Sequence, residues 1–125
     1  MAPSNYAKSF RDLIVYQKAR EVAKTVFQFS KTFPREEMYS LTDQIRRSSR
    51  SIGAQIAEAW GKRQYERHFI SKLTDADAEQ MECQHWTDVA RDCGYWTQEQ
   101  HTQLMAQSNN NRKLTTDHRL LITDY

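Results

Sequence analysis

The helical period of this chain is clearest in residues 41–60, which read LTDQIRRSSRSIGAQIAEAW. The large apolar residues of this stretch recur four or seven positions apart: Leu41, Ile45, Ile52, Ile56 and Trp60. This spacing places them on one face of a helix. Ser48 and Ser49 lie between them and would let a neighbouring helix approach closely. Ser40 and Asp43 resemble an N-terminal capping box, and Gly61 is expected to end the helix in the left-handed conformation.

Three further segments have a helical period. A first helix is predicted over residues 13–31, with Asp12 as its N-cap and Phe33-Pro34 beyond its end. It carries two apolar stripes, which indicates burial against more than one neighbour, in a bundle or in an oligomer. A third helix is predicted over residues 65–93, ended by Gly94, and a fourth over residues 98–122, started by a Thr97 and Gln100 capping box. The fourth is the least regular, because residues 109–111 are three consecutive Asn.

Length and composition favour one all-α domain. The chain has 125 residues, three Gly and two Pro, and no Pro follows Pro34. Sheet folds need frequent turn residues, so this scarcity favours long helices. Four helices joined by short links predict an antiparallel up-down-up-down four-helix bundle that spans residues 1–125.

Several classes of protein are disfavoured by the sequence. No stretch approaches the roughly 20 apolar residues of a membrane-spanning helix, and the N-terminal residues lack the apolar core of a signal peptide. We therefore expect a cytoplasmic protein with no membrane partner. Cys83 and Cys93 fall in one predicted helix, about 15 Å apart along its axis, which is too far for a disulfide. Both are expected to be buried thiols.

The charge is unevenly distributed. Residues 44–72 hold seven Lys or Arg and two acidic residues, whereas residues 73–99 hold seven acidic residues and one Arg. Six of the basic residues form the candidate nucleic-acid-binding set: Arg46, Arg47, Arg50, Lys62, Arg63 and Arg67. Guanidinium groups match phosphate geometry, and Tyr65 and His68 nearby could stack on an unpaired base. The alternative is that the acidic residues of the third helix pair with these cations, within or between subunits.

Signs of catalysis or metal binding are weak. Glu82 and His85 have the spacing used twice in di-iron bundles, but the chain has no second copy, and Glu58 is the one obvious carboxylate on the second helix. Ser48, Ser49 and Ser51 have no His or second acid placed to activate them. We therefore expect no enzyme, no metal and no cofactor. The three Trp are expected in the core or an interface, and Tyr95 and Trp96 at one bundle end are candidates for a subunit contact.

Several ordered segments together resemble a known family. They are residues 10–19 (FRDLIVYQKA), Phe33-Pro34 with Glu37, residues 39–48 (YSLTDQIRRS), Ser51-Ile52, Ile56-Ala57-Glu58, Phe69-Ile70 with Leu73, Glu82-Cys83-Gln84 with Trp86, and Gly94-Tyr95. In this order they resemble the four-helix bundle family first noticed as proteins encoded in intervening sequences of bacterial 23S ribosomal RNA genes. The similarity covers roughly residues 10–96.

The resemblance implies a left-handed bundle that assembles into a ring-like homo-oligomer, typically a pentamer, with no known catalysis. One branch of the family serves as the accessory protein of diversity-generating retroelements and binds a reverse transcriptase and nucleic acid. We therefore expect a non-enzymatic, self-assembling adaptor or scaffold that binds RNA, DNA or a nucleic-acid enzyme such as a reverse transcriptase through its basic residues. The alternative is a purely structural protein–protein interaction module that binds no nucleic acid.

Overall fold

The structure, a computed structural model, describes residues 7–116. In this range it has four α-helices: α1 (Ile14–Ser30), α2 (Leu41–Gly61), α3 (Glu66–Asp92) and α4 (Gln98–Thr116). Two single-turn 3-10 helices, Phe10–Asp12 and Arg35–Glu37, precede α1 and α2. Each predicted boundary inside this range lies within one residue of the observed one. The predicted end of the fourth helix, at residue 122, lies outside the described residues.

The four helices pack in a closed cycle. α1 contacts α2 and α4, and α3 also contacts α2 and α4. Because the connections are short, consecutive helices run antiparallel, which confirms the predicted all-α four-helix bundle. The core consists of apolar side chains from all four helices, which include Val15, Val22 and Val26 of α1, Ile45, Ile52 and Ile56 of α2, Phe69, Leu73 and Ala76 of α3, and Leu104 of α4.

The Asn-rich part of α4 faces the core at one position. Asn111 is fully buried; its Nδ2 donates a hydrogen bond to the Val15 carbonyl oxygen at 2.9 Å, and its Oδ1 accepts one from Gln80 Nε2. Ser108 Oγ donates to Gln80 Oε1 at 2.8 Å and accepts from Gln84 Nε2 at 2.9 Å. α4 thus contributes a buried polar layer that joins it to α3 and α1. This layer explains how a helix with few apolar residues packs in the bundle.

Three predictions about how the helices begin or end are wrong. Asp12 does not cap α1; it ends the preceding 3-10 helix, and its carboxylate accepts hydrogen bonds from the N–H groups of Lys8 and Ser9 at the start of that turn. Ser40 makes no capping bond to α2, because its hydroxyl donates to Glu37 Oε1 at 2.6 Å. Gly61 is the last residue of α2 and does not have a positive φ.

Two predictions about the helix ends are confirmed. Gly94 follows α3 with φ of 77°, in the left-handed region. Thr97 and Gln100 form the capping box of α4, where Thr97 N donates to Gln100 Oε1 at 2.9 Å and Gln100 N donates to Thr97 Oγ1 at 3.1 Å.

Trp96 lies in the core, one of the two places predicted for the three Trp, whereas Cys93 differs from its predicted burial. Trp96 is 3% exposed, and its indole N–H donates to the Phe29 carbonyl oxygen at 2.9 Å, so it belongs to the core of its own subunit. Cys83 is buried as predicted, whereas Cys93 is exposed because it follows the last residue of α3. Neither cysteine forms a disulfide, as their separation predicts.

Candidate functional site

The six predicted cations do not form one surface. Arg46 and Arg50 lie on the side of α2 that faces α1, because a step of four residues nearly completes one helical turn. Arg47 points elsewhere and pairs with Asp43 of its own helix at 3.7 Å. Lys62, Arg63 and Arg67 lie at the turn between α2 and α3 and its flanks, where Lys62 is about 18 Å along the helix axis from Arg50.

Three cations converge on the ring of Phe27, and we call these four residues the Phe27 cluster. Lys31 Nζ and Arg46 Cζ each lie 4.9 Å from the ring centroid, and Arg50 Cζ lies 5.7 Å from it. Arg46 is also held by Ser30, whose Oγ accepts from its Nε at 2.8 Å. These distances are within the range of cation–π attraction, so one aromatic side chain of α1 positions cations from both helices.

The Phe27 cluster stands at one end of a groove between α1 and α2, which we call the α1–α2 groove. Its volume is about 550 Å³. Small residues form its floor: Ala19, Ala23, Ser49, Gly53, Ala54 and Ala57. Aromatic and basic residues form its walls: Phe10, Tyr16, Phe27, Arg20, Lys24 and Arg50. No acidic residue lines this groove in the described part of the chain, so its electrostatic character is positive.

The far end of the groove is aromatic. Tyr16 lies over Gly53, where an added Cβ would be 3.5 Å from Tyr16 Cε1. Phe10 packs edge-on against Tyr16 with 4.9 Å between ring centroids, and the Arg11 guanidinium lies 4.4 Å from the Phe10 centroid. The groove therefore runs from a cationic cluster to a pair of aromatic rings.

The remaining predicted cations lie beside a second, shallower depression of about 230 Å³, lined by Lys62, Arg67, His68, Ser71 and Lys72. Lys72 is already paired with Glu58 at 3.2 Å and Asp75 at 3.7 Å. The Arg63 guanidinium lies 4.1 Å from the Trp60 ring centroid and donates to the Trp60 carbonyl oxygen at 2.9 Å. Tyr65 and His68 contact each other, with 5.8 Å between ring centroids. Much of this depression is thus occupied by contacts within the subunit.

The acidic residues of α3 do not neutralise the Phe27 cluster within the subunit. Asp77 accepts a hydrogen bond from Arg112 at 2.8 Å, Asp75 pairs with Lys72, and Asp88 contacts His101 at 2.8 Å. Neither Arg46 nor Arg50 forms a salt bridge with an acidic residue anywhere in residues 7–116. The charge pairing that the alternative hypothesis requires is therefore not made by these two arginines inside one subunit.

Arg47 lies on the α3 side of α2, near Glu79. Burial raises the pKa of the Glu79 carboxyl, Glu82 and Asp75 add to this effect, and the positive charge of Arg47 opposes it. This placement separates Arg47 from Arg46 and Arg50, although the three are almost adjacent in the chain.

Glu82 and His85, the candidate metal pair, are exposed and engaged with one neighbour. Trp86 Nε1 donates to Glu82 Oε2 at 3.1 Å, and the His85 ring lies 4.6 Å from the Trp86 ring. Within residues 7–116 no three His, Cys, Asp or Glu side chains come together as a metal site would need. The structure thus gives this pair a local packing role.

Two of the three candidate serine nucleophiles are buried. Ser48 and Ser49 are buried and donate to carbonyl oxygens of their own helix, those of Ile45 and Arg46. Burial raises the pKa of the Cys83 thiol to about 12, so it stays protonated at neutral pH.

The described helices also include none that is long and apolar enough to cross a bilayer.

The fold and the groove define an all-α four-helix bundle protein with a basic, aromatic-walled cleft. The sequence profile of the 23S rRNA-intervening sequence protein family matches residues 11–117, so the chain belongs to that family. A similar protein of known crystal structure, of unknown function and from the S23 ribosomal protein family, comes from Bacteroides thetaiotaomicron VPI-5482. Its sequence is 31% identical to that of this chain. It matches with a TM-score of 0.72 over 82% of this chain and 94% of that one. No match was found among curated proteins.

Proposed function

We propose that this protein is a non-enzymatic, self-assembling adaptor or scaffold that binds the phosphate backbone of RNA or DNA through the Phe27 cluster. The observation that carries this proposal is the convergence of Lys31, Arg46 and Arg50 on one ring, without an acidic partner for either arginine. A phosphate binds best where charged donors are already oriented, because less side-chain entropy is then lost on binding.

Backbone contact is the mode of recognition that this chemistry favours. The groove walls offer guanidinium and ammonium groups, which bind phosphates without reading sequence. Such binding weakens steeply with salt, because each contact releases condensed counterions. Lys62, Arg63 and Arg67 form a second, separate contact region for the same strand in this proposal.

Self-assembly strengthens the proposal through multivalency. The resemblance to ring-forming proteins suggests several identical grooves in one particle. Repeated weak contacts to one strand raise the overall affinity by orders of magnitude when the geometry lets them engage together. The resemblance to retroelement accessory proteins also makes a nucleic-acid enzyme, such as a reverse transcriptase, the proposed protein partner.

The test is the binding of a labelled single strand of about 20 nucleotides, followed by fluorescence anisotropy at several salt concentrations. The double variant Arg46→Gln with Arg50→Gln is expected to weaken binding at least about tenfold. It is also expected to reduce the slope of log affinity against log salt by about 1.4, or 0.7 for each lost contact. Retained affinity and slope in this variant would overturn the proposal.

A matched control removes the same charge elsewhere. Arg91 and Lys113 are exposed on α3 and α4, so Arg91→Gln with Lys113→Gln lowers the net charge equally without touching the groove. This control is expected to bind within about twofold of the wild type, because distant exposed charges are largely screened. Equal losses in both double variants would mean that net charge, and not the Phe27 cluster, drives binding.

A wild-type protein that binds no nucleic acid would favour the interaction module instead. One observation supports this second candidate: the groove floor of small residues on two adjacent helices has the shape that accepts a further helix. Under that hypothesis, the arginine changes would alter the mass of the assembly rather than nucleic-acid affinity. Light scattering on the same variants distinguishes the two functions.

A further inference from the structure

We infer that the α1–α2 groove is a single-strand site, in which unpaired bases enter the groove against Tyr16 and Phe10 while the Phe27 cluster holds neighbouring phosphates. This inference rests on the proposed function and specifies the class of nucleic acid that it binds. The carrying observation is the arrangement of side chains along one cleft: the Phe27 cluster at one end, Tyr16 and Phe10 at the other, and both small and basic residues between.

The shape of the groove excludes a duplex from its floor. α1 and α2 are adjacent antiparallel helices, and the cleft between them is floored by Ala23, Gly53 and Ala54. A duplex keeps its bases stacked and paired inside, so it can touch only the rim of such a cleft with its phosphates. An unpaired base is a flat group that can enter the cleft.

The aromatic end supplies the surface that an unpaired base needs. Aromatic side chains bind bases of any sequence by stacking, because every base has a π-face. Phe10 packs edge-on against Tyr16, which fixes the orientation of the tyrosine ring. The Tyr16 ring lies over Gly53 of α2, where an added Cβ would meet Tyr16 Cε1 at 3.5 Å, an ordinary contact distance.

The spacing of cations along α1 suits a strand that follows the groove. Arg20 and Lys24 are one helical turn apart on the groove wall, between Tyr16 and Phe27. Tyr16 and Phe27 are eleven positions apart in α1, about 16 Å along the axis, which leaves room for a few nucleotides. Phosphates can therefore meet cations over the whole path between the aromatic end and the Phe27 cluster.

The groove offers little for reading base identity. Among the lining residues within 7–116, Ser49 is the one uncharged polar residue besides Tyr16, and its hydroxyl already donates to the Arg46 carbonyl oxygen at 3.1 Å. Preference among bases is therefore expected to be small, as for other stacking platforms.

The experiment compares three labelled ligands of about 12 nucleotides, a length within the usual site size of single-strand binders. They are a thymidine strand, the same strand paired with its complement, and an abasic strand with the same number of phosphates. The wild type is expected to bind the thymidine strand at least about tenfold more tightly than either of the others. Equal affinity for the abasic strand or the duplex would overturn the inference and leave the phosphate-binding proposal intact.

Two variants narrow or flatten the groove. Ala54 is exposed on α2, so Ala54→Gln adds bulk to the groove without charge at a position that tolerates a good helix former. Tyr16→Leu removes the ring and keeps an apolar side chain. Each is expected to weaken thymidine-strand binding about tenfold and leave duplex and abasic binding within about twofold. Unchanged single-strand affinity in both variants, with helical content preserved, would also overturn the inference.

The control for added bulk is Ala78→Gln, which makes the same change at an exposed position on α3. It is expected to bind all three ligands like the wild type. If the wild type binds none of the three ligands, the proposed function itself is contradicted. If Ala54→Gln changes the mass of the assembly by light scattering and not the affinity, a second copy covers the groove and the inference fails.

Discussion

At the scale of single residues, burial gives the two cysteines different chemistry. Cys83 is buried between α2 and α3, and desolvation raises the pKa of its thiol to about 12. Cys93 is exposed at the end of α3. Since the thiolate is the reactive form, and a buried protonated thiol is also inaccessible, only Cys93 is available to reagents in the folded protein.

We therefore expect one thiol per chain to react rapidly with an aromatic disulfide reagent at pH 8, and the second only after unfolding in urea. Cys93→Ser is expected to abolish the rapid phase, whereas Cys83→Ala is expected to leave it unchanged. Two rapid thiols in the native wild type would contradict the placement of Cys83 in the core.

The candidate cations show how much of the groove's arrangement the sequence predicts. The excess of basic residues in 44–72 pointed to Arg46 and Arg50, which the structure places at a groove. It could not separate them from Arg47, because a neighbour in the chain points about 100° away around a helix. It also missed Arg20 and Lys24 of α1, which line the groove only through packing of α1 on α2, and Lys31 just after α1, which contacts the Phe27 ring. The second apolar stripe of α1, with Tyr16 and Phe27, was the available signal.

At the scale of the elements, the helix boundaries were predictable, but only some of the residues that cap the helices were. Gly94 and the Thr97–Gln100 pair act locally, so their sequence patterns suffice. Ser40 instead donates to Glu37, whose carboxylate reaches forward from the preceding 3-10 helix. The buried side of α4 was also unpredictable, since Asn111 is buried only because Gln80 and the Val15 carbonyl are there to satisfy it.

The polar layer leads to a stability prediction for α4. Asn111→Ala leaves a buried Gln80 N–H group without its partner, so we expect a loss of about 1–3 kcal/mol in the free energy of unfolding. Urea denaturation followed by circular dichroism measures this change. Asn110→Ala is the matched control: it is the exposed neighbour and is expected to change stability by no more than about 0.5 kcal/mol. Equal effects of the two changes would contradict the buried network.

A second prediction concerns the hydrogen bond that joins the α1–α2 connection to the α3–α4 connection at one end of the bundle. The Glu37 carboxylate accepts hydrogen bonds from Ser40 Oγ and from Tyr95 Oη, the latter at 2.8 Å. These bonds lower the pKa of Glu37, with Ser40 the largest cause, Tyr95 next and the Leu41 N–H also contributing, while burial opposes them. The hydrogen bond to Glu37 is the main cause that raises the pKa of Tyr95 to about 12.

The direction of each pKa shift fixes the pH range in which that residue stabilises the fold. The stability contributed by Glu37 is fully present above its ordinary pKa of 4.5 and is lost as pH falls through its lower folded value. That contributed by protonated Tyr95 is present below its ordinary pKa of 10 and is lost as pH rises through about 12. Glu37→Gln is expected to flatten the acid limb of stability against pH, measured by urea unfolding. Glu36→Gln, the exposed neighbour, is expected to leave the acid limb unchanged; an equal effect would contradict this link.

At the scale of the whole molecule, the two apolar stripes of α1 have different partners. Val15, Val22 and Val26 fill the core, whereas Tyr16, Ala23 and Phe27 line the α1–α2 groove. Within one subunit, the first stripe is therefore buried in the core, whereas the second stripe lines a groove. The groove is therefore the surface of α1 and α2 that we propose for a partner.

Self-assembly is the prediction at this scale. Size-exclusion chromatography with light scattering on untagged protein is expected to give a mass several times the 14.8 kDa of one chain. Bound nucleic acid would add absorbance at 260 nm that high salt removes. A monomer would contradict the proposed assembly and the multivalent binding that depends on it.

The most direct test of the central claim is photo-crosslinking of a single strand that carries 4-thiouridine, followed by mass spectrometry of the linked peptides. If the α1–α2 groove binds nucleic acid, crosslinks are expected on residues 10–31 and 46–57, with Tyr16 and Phe27 among the linked positions. Arg46→Gln with Arg50→Gln is expected to reduce their yield. Crosslinks confined to α3 and α4, under conditions in which the strand is bound, would contradict the assignment of this groove as the binding site.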